Sequence, residues 1–95
     1  MINVIATFAV LKEQTDCFLE LAEELVNETV KEAGCIEYEL IRDQDSRSVF
    51  IMVEKWESKE HLDSHSNSDH FRRIIPQISK LVEQEITVRV CNKVF

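Results

Sequence analysis

Ser48-Val49-Phe50-Ile51-Met52-Val53-Glu54-Lys55-Trp56 reads as a β-strand with apolar side chains on both faces. Val49, Ile51 and Val53 fall on one side, and Phe50, Met52 and Trp56 on the other with Glu54 among them. A strand in a small antiparallel sheet ordinarily alternates apolar with polar, so a strand apolar on both sides needs cover on both sides. Helices can cover one face. The rest of the chain is too short for a second helical layer, so the other face is expected to meet a second copy of the protein.

Working outward, Ile2 to Val10 sets Ile2, Val4, Ala6, Phe8 and Val10 against Asn3, Ile5, Thr7 and Ala9, a first strand that is also largely apolar. Thr15 or Asp16 is placed to cap a helix whose stripe of Phe18, Leu21, Ala22, Leu25, Val26 and Thr29 keeps the 3.6-residue period to about Glu32. Its Glu20, Glu23, Glu24, Glu28 and Lys31 read as a solvated face, and Gly34, the only glycine, as the helix stop. Cys35 to Arg42 is a second strand, joined to the third by the polar turn Asp43 to Arg47. Ser58 is suited to cap a short helix near Lys59 to His65, and Asn67 or Ser68 to restart one near Asp69 to Leu81, with Pro76 bending it. Glu85 to Phe95 alternates as a last strand with one wetter face, which suits a sheet edge.

The order strand, helix, strand, strand, helix, strand predicts an α+β fold, the ferredoxin-like βαββαβ sandwich, with a four-stranded antiparallel sheet and both helical regions on one side. The first and third strands, being the most apolar, should be central. Residues 1–95 should form a single domain, since 44% hydrophobic and 31% charged residues with one Gly and one Pro leave no linker. A domain of this size buries only about 60 to 65% of its unfolded surface and gains from association. The formal net charge of −7 opposes nucleic acid and anionic membrane surfaces, and Arg72-Arg73 is too short a basic run to reverse it. No apolar run approaches the roughly 20 residues that span a bilayer. Met1 runs straight into a strand without a basic leader, so a cytoplasmic location is expected. Cys17, Cys35 and Cys91 match neither a disulfide framework nor paired zinc ligands, and read as reduced, mostly buried thiols.

Chemistry is expected where the third strand exits and the second helical region breaks. Glu54 and Trp56 share a strand face, and His65, His70 and Phe71 follow closely enough to reach the same end of the fold. A carboxylate, an indole and imidazoles around an apolar pocket can do acid and base work on a small molecule. His65 lies near a helix C-terminus, where the dipole favours the protonated ring, and His70 near a helix start, where it favours the neutral one. Equally, Glu54 reads as a strand-end ion pair, Trp56 as a core plug, the histidines as caps and His61 as exposed. A metal site is not expected, because the histidine spacing puts at most two on one helical face with no adjacent third ligand. A phosphate loop is excluded by the single glycine.

Glu32-Ala33-Gly34-Cys35-Ile36-Glu37-Tyr38, Glu54-Lys55-Trp56 and His65-Ser66-Asn67-Ser68-Asp69-His70-Phe71 together resemble the antibiotic biosynthesis monooxygenase domain family, and the resemblance runs essentially end to end. It implies ferredoxin-like homodimers whose sheets pack face to face into a dimeric α/β barrel, each subunit with a pocket between sheet and helices. The family includes cofactor-free quinol and polyketide oxygenases, haem-degrading enzymes and an isomerase of a phosphorylated sugar. Carried onto this chain, the resemblance implies a cofactor-independent monooxygenase acting on an electron-rich phenol or quinol with molecular oxygen. His65 or His70 would be the base, Glu54 its companion, and Trp56 and Phe71 would stack the aromatic ring. The haem branch has a Trp near the place of His65 and a His further along the last helix, and this chain has neither. Two alternatives stand beside this reading: an isomerase or other proton-transfer enzyme on a small metabolite, and a noncatalytic dimeric ligand-binding protein. The overall negative charge disfavours strongly anionic substrates, although Arg72 and Arg73 could offer a local basic spot.

Overall fold

A computed structural model describes all residues from Met1 to Phe95. Four strands, β1 (Ile2–Ala9), β2 (Cys35–Arg42), β3 (Val49–Trp56) and β4 (Thr87–Cys91), form one antiparallel sheet in the order β2-β3-β1-β4. Three helices, α1 (Thr15–Thr29), α2 (Lys59–Ser66) and α3 (Asp69–Ser79), cover one face. This is the ferredoxin-like α+β arrangement, with the two most apolar strands central as their patterns require. The register sets Val4 opposite Glu54, Ala6 opposite Met52 and Phe8 opposite Phe50, so side chains of one parity from both central strands enter the core together. There Phe8, Phe18 and Phe50 meet with ring centroids 5.4 and 4.9 Å apart. Phe18, Ala22 and Leu25 from α1, and Ile74 and Ile78 from α3, close over them and are almost fully buried.

The opposite face of the sheet has no helical cover. Ile5, Val49, Ile51 and Val53 on it are half-buried, while Ile36 and Ile41 are 43% and 45% exposed. No helix is long and apolar enough to cross a membrane.

Several local expectations are corrected. Neither Thr15 nor Asp16 caps α1: a short 3-10 turn, Lys12–Gln14, leads into it, and the Thr15 hydroxyl donates back to the Lys12 carbonyl at 2.9 Å. The helix ends at Thr29, short of Glu32, so Gly34 is not its cap. Gly34 is the turn into β2, with φ of 81°, and a Cβ there would collide with the His61 ring. Consequently His61 is half-buried, not exposed, with its Nδ1 2.7 Å from the Ser58 hydroxyl. Strand β4 is shorter than its alternation suggested because only Thr87 to Cys91 finds a partner, along β1. Its Val88 and Val90 turn to the helical side yet remain 59% and 62% exposed. Cys17 is exposed and Cys35 and Cys91 are half-buried, so the thiols are less buried than expected.

Candidate active site

The site begins at the break between α2 and α3. Ser58 caps α2 by accepting from the His61 amide, and Ser68 caps α3 by accepting from the Phe71 amide. The Ser68 hydroxyl also donates to the His65 carbonyl at 2.7 Å, tying the end of one helix to the start of the next. The tie fixes His65 and His70 at a ring separation of 6.1 Å.

Both imidazoles converge on Glu32, which lies more than thirty residues away in the turn after α1. His65 Nδ1 and His70 Nε2 each stand 2.7 Å from the same oxygen, Glu32 Oε2. An ionised carboxylate can only accept, so both nitrogens carry the protons and donate. With Nδ1 so engaged, His65 is left with Nε2 as its lone-pair nitrogen; that atom is buried and unpaired. The ring is 2% exposed and walled by Trp56, Phe71 and Tyr38 at centroid distances of 4.8, 5.0 and 5.3 Å. Burial lowers the His65 pKa below the ordinary imidazole value, opposed by the Glu32 hydrogen bond. Burial therefore acts against the protonated ring that the helix end favours.

On the floor of the site Glu54 lies between Val4 and Tyr38 in the sheet register and is 6% exposed. The Trp56 indole N–H donates to Glu54 Oε1 at 3.0 Å. Burial raises the carboxyl pKa to about 7, against the pull of the indole, with the Glu32 charge adding to the rise. Tyr38, buried beside it, has its phenol pKa raised by burial and then by the Glu54 charge, so it stays protonated. Burial, with Glu32 and Glu54 nearby, also raises the Cys35 thiol pKa, which argues against a nucleophile there.

Sheet, α2, α3 and the loop before β4 enclose a cavity of about 730 Å³, ten of whose seventeen lining residues are hydrophobic. His65, Glu54, Phe71 and Tyr38 line it. The structure thus gathers all five expected residues but gives them different positions. Trp56 is fully buried behind the cavity wall, holding Glu54 and flanking His65, so it is not placed to stack a guest. His70 is likewise outside the lining and meets His65 through Glu32. Arg72 and Arg73 do not line the cavity, and Arg73 pairs with Glu24 on the surface at 2.5 Å.

Glu32 and Tyr38 are the participants that residue-by-residue reading missed, and Ser68 entered it only as a helix cap. Both Glu32 and Tyr38 stood out only as the two ends of the motif Glu-x-Gly-Cys-x-x-Tyr. The missing third ligand now exists: Glu32, His65 and His70 present ligand atoms within 4.8 Å of one another and could hold a cation. Their 2.7 Å contacts are charge-assisted hydrogen bonds, however. Ligands on one tetrahedral zinc ion would stand about 3.4 Å apart.

The chain is thus an α+β protein with a one-sided ferredoxin-like sheet and an aromatic-walled cavity that holds a carboxylate-backed imidazole. The family model described as Antibiotic biosynthesis monooxygenase matches residues 1–77, and the chain belongs to that family. Among solved structures, a conserved protein from Methanosarcina mazei Go1 superposes with a TM-score of 0.96 at 34% identity, covering 97% of this chain and 91% of that one. A structure described as an antibiotic biosynthesis monooxygenase matches at 0.95 with 35% identity over 99% of both chains. YcnE of Bacillus subtilis (strain 168) is 27% identical over 93% of each chain.

Proposed function

We propose that this chain, as one domain and as a homodimer, is a cofactor-independent monooxygenase that oxidises an electron-rich phenol or quinol. The observation that carries the reading is His65, which lines a largely apolar cavity with its Nε2 buried and unpaired and its Nδ1 held by Glu32. A deprotonated phenol is a strong enough reductant to meet oxygen directly, so the protein has to supply a base, an apolar enclosure and a proton donor.

His65 Nε2 takes the phenolic proton, and the resulting imidazolium is stabilised by Glu32, which His70 keeps in place. The phenolate gives one electron to oxygen; the phenoxyl radical and superoxide then join at a ring carbon bearing hydrogen. The carbon-bound peroxide loses water to leave a quinone, so phenol and oxygen balance quinone and water without an external reductant. Glu54, half-protonated near neutrality, donates to the departing hydroxide, and the Tyr38 hydroxyl steadies the ring oxygen. Phe71 lies against the guest, while Trp56 acts through Glu54 and His65 as a positioning residue. The helix-free apolar face around Ile5, Ile51 and Val53 supports pairing of two sheets.

Oxygen uptake with naphthohydroquinone, measured above its spontaneous autoxidation, tests this. Wild type should consume oxygen and release a hydroxylated naphthoquinone, and His65→Ala should slow it roughly a hundredfold or more, the usual worth of a general base. No uptake, or uptake indifferent to His65→Ala, refutes the reading. The opposite pKa shifts of His65 and Glu54 also favour a second reading, proton transfer on a carbonyl metabolite. Turnover of such a ketone under nitrogen would establish it, and ligand-induced stabilisation without any turnover would leave a binding protein.

A further inference from the structure

We infer that the cavity selects its guest by charge, admitting uncharged or amine-bearing arenes and rejecting those that carry a carboxylate or phosphate. The lining holds no lysine or arginine among its seventeen residues, and its carboxyl groups are Glu54 on the floor, whose charge is only partial near neutrality, and Glu83 and Glu85 in the loop before β4. Glu83 and Glu85 are exposed, so they stand where the cavity opens to solvent. The loop that bears them is fastened to the sheet. The Leu11 amide donates to the Leu81 carbonyl and the Glu83 amide to the Ala9 carbonyl, both at 2.8 Å, and Val10 bridges Val82. Glu83 is therefore held at the entrance by backbone, and Glu85 follows two residues on, before β4 begins.

Arg72 and Arg73 do not relieve this field, because both lie outside the lining and Arg73 is engaged by Glu24. Deeper in, an anionic substituent would meet Glu54 and the aromatic wall with no cation to replace its lost water. An ammonium group left at the entrance would instead lie beside two carboxylates. This inference rests on the proposed aromatic substrate and narrows it, and it sets phosphorylated sugars aside as guests of this pocket.

The experiment measures dissociation constants, by calorimetry without oxygen, for naphthol, hydroxynaphthoate and aminomethyl-naphthol on wild type and the Glu83→Gln/Glu85→Gln double variant. Two unit charges partly screened by water at such separations are worth about tenfold in affinity, so hydroxynaphthoate should bind about tenfold or more weakly than naphthol, and aminomethyl-naphthol at least as tightly as naphthol. In the double variant the ratio of the hydroxynaphthoate and naphthol constants should shrink by about tenfold, and in wild type it should also shrink at high salt. Equal binding of the three, absence of binding by all three, or a ratio unmoved by the double substitution overturns the inference. A charge preference with no oxygen uptake would refute the oxygenase and leave the selectivity standing; uptake without a charge preference would do the reverse.

Discussion

Gly34 shows how one residue without a side chain governs a site it does not touch. Its φ of 81° is a conformation that side chains resist, and the space a Cβ would take is filled by the His61 ring of α2. The Gly34 carbonyl also accepts from the Glu57 amide at 2.9 Å, which pins the exit of β3 beside the entry of β2. Gly34→Ala should cost about 2 kcal/mol or more, from the left-handed backbone and the displaced α2 together, and a urea titration would read it as a lowered midpoint. Glu32 is the second decisive residue, since one of its oxygens engages both Nδ1 of His65 and Nε2 of His70. Glu32→Gln removes the anion that stabilises a protonated His65, and the acid limb of the oxygen-uptake profile should move to lower pH. An unmoved limb would mean that another group sets it.

Among the elements, the α2–α3 corner carries the most information. Ser68 Oγ accepts from the Phe71 amide and donates to the His65 carbonyl, so it serves as a helix cap and a clasp. Ser68→Ala should lower stability by about 1 kcal/mol, as loss of a capping hydroxyl does, and weaken the alignment of both histidines. Thermal unfolding measures the first effect, and a loss of turnover larger than the loss of stability predicts marks the second. The sequence announced this corner plainly: a serine before each helix and polar residues at the break are local signals that act within one turn. It also placed Glu54 and Trp56 on one strand face, because parity along an extended chain is fixed by the backbone. It did not reveal that Trp56 stands behind the wall and Phe71 in it, which depends on how far α3 sits from the sheet.

For the whole molecule, the buried titratable groups make stability depend on pH in opposite senses. Glu54 has a folded pKa of about 7 against an ordinary 4.5, so the folded state holds a proton that the unfolded state has released between those values. Its contribution is fully present below the ordinary value and is lost as pH rises toward 7, an effect of about 3 kcal/mol. His65 has a lowered pKa, so its contribution is present above 6.5 and is lost as pH falls through the folded value. Glu54→Gln should therefore flatten the decline in melting temperature between pH 5 and pH 7, roughly the window set by these values. An unchanged slope would show that the carboxyl is not desolvated. The helix-free sheet face belongs to the same scale: Ile51→Lys at its centre should turn the proposed homodimer into a monomer by sedimentation, leaving the helical side folded. A wild-type monomer would remove the need for that partner.

The amino-acid order by itself determined the element sequence, the central strands, the face of β3 that enters the core and the corner where the histidines gather. Each of these is a short-range matter of period two, period 3.6 or a capping side chain, and the chain carries it without knowing its distant parts. Only the tertiary structure decided that Glu32 would hold His65 and His70, that burial would raise Glu54 and lower His65, and that Arg73 would pair with Glu24. Those outcomes come from distances between residues far apart in sequence and from how completely water is excluded, and both exist only once α1, α2 and α3 have closed over the sheet.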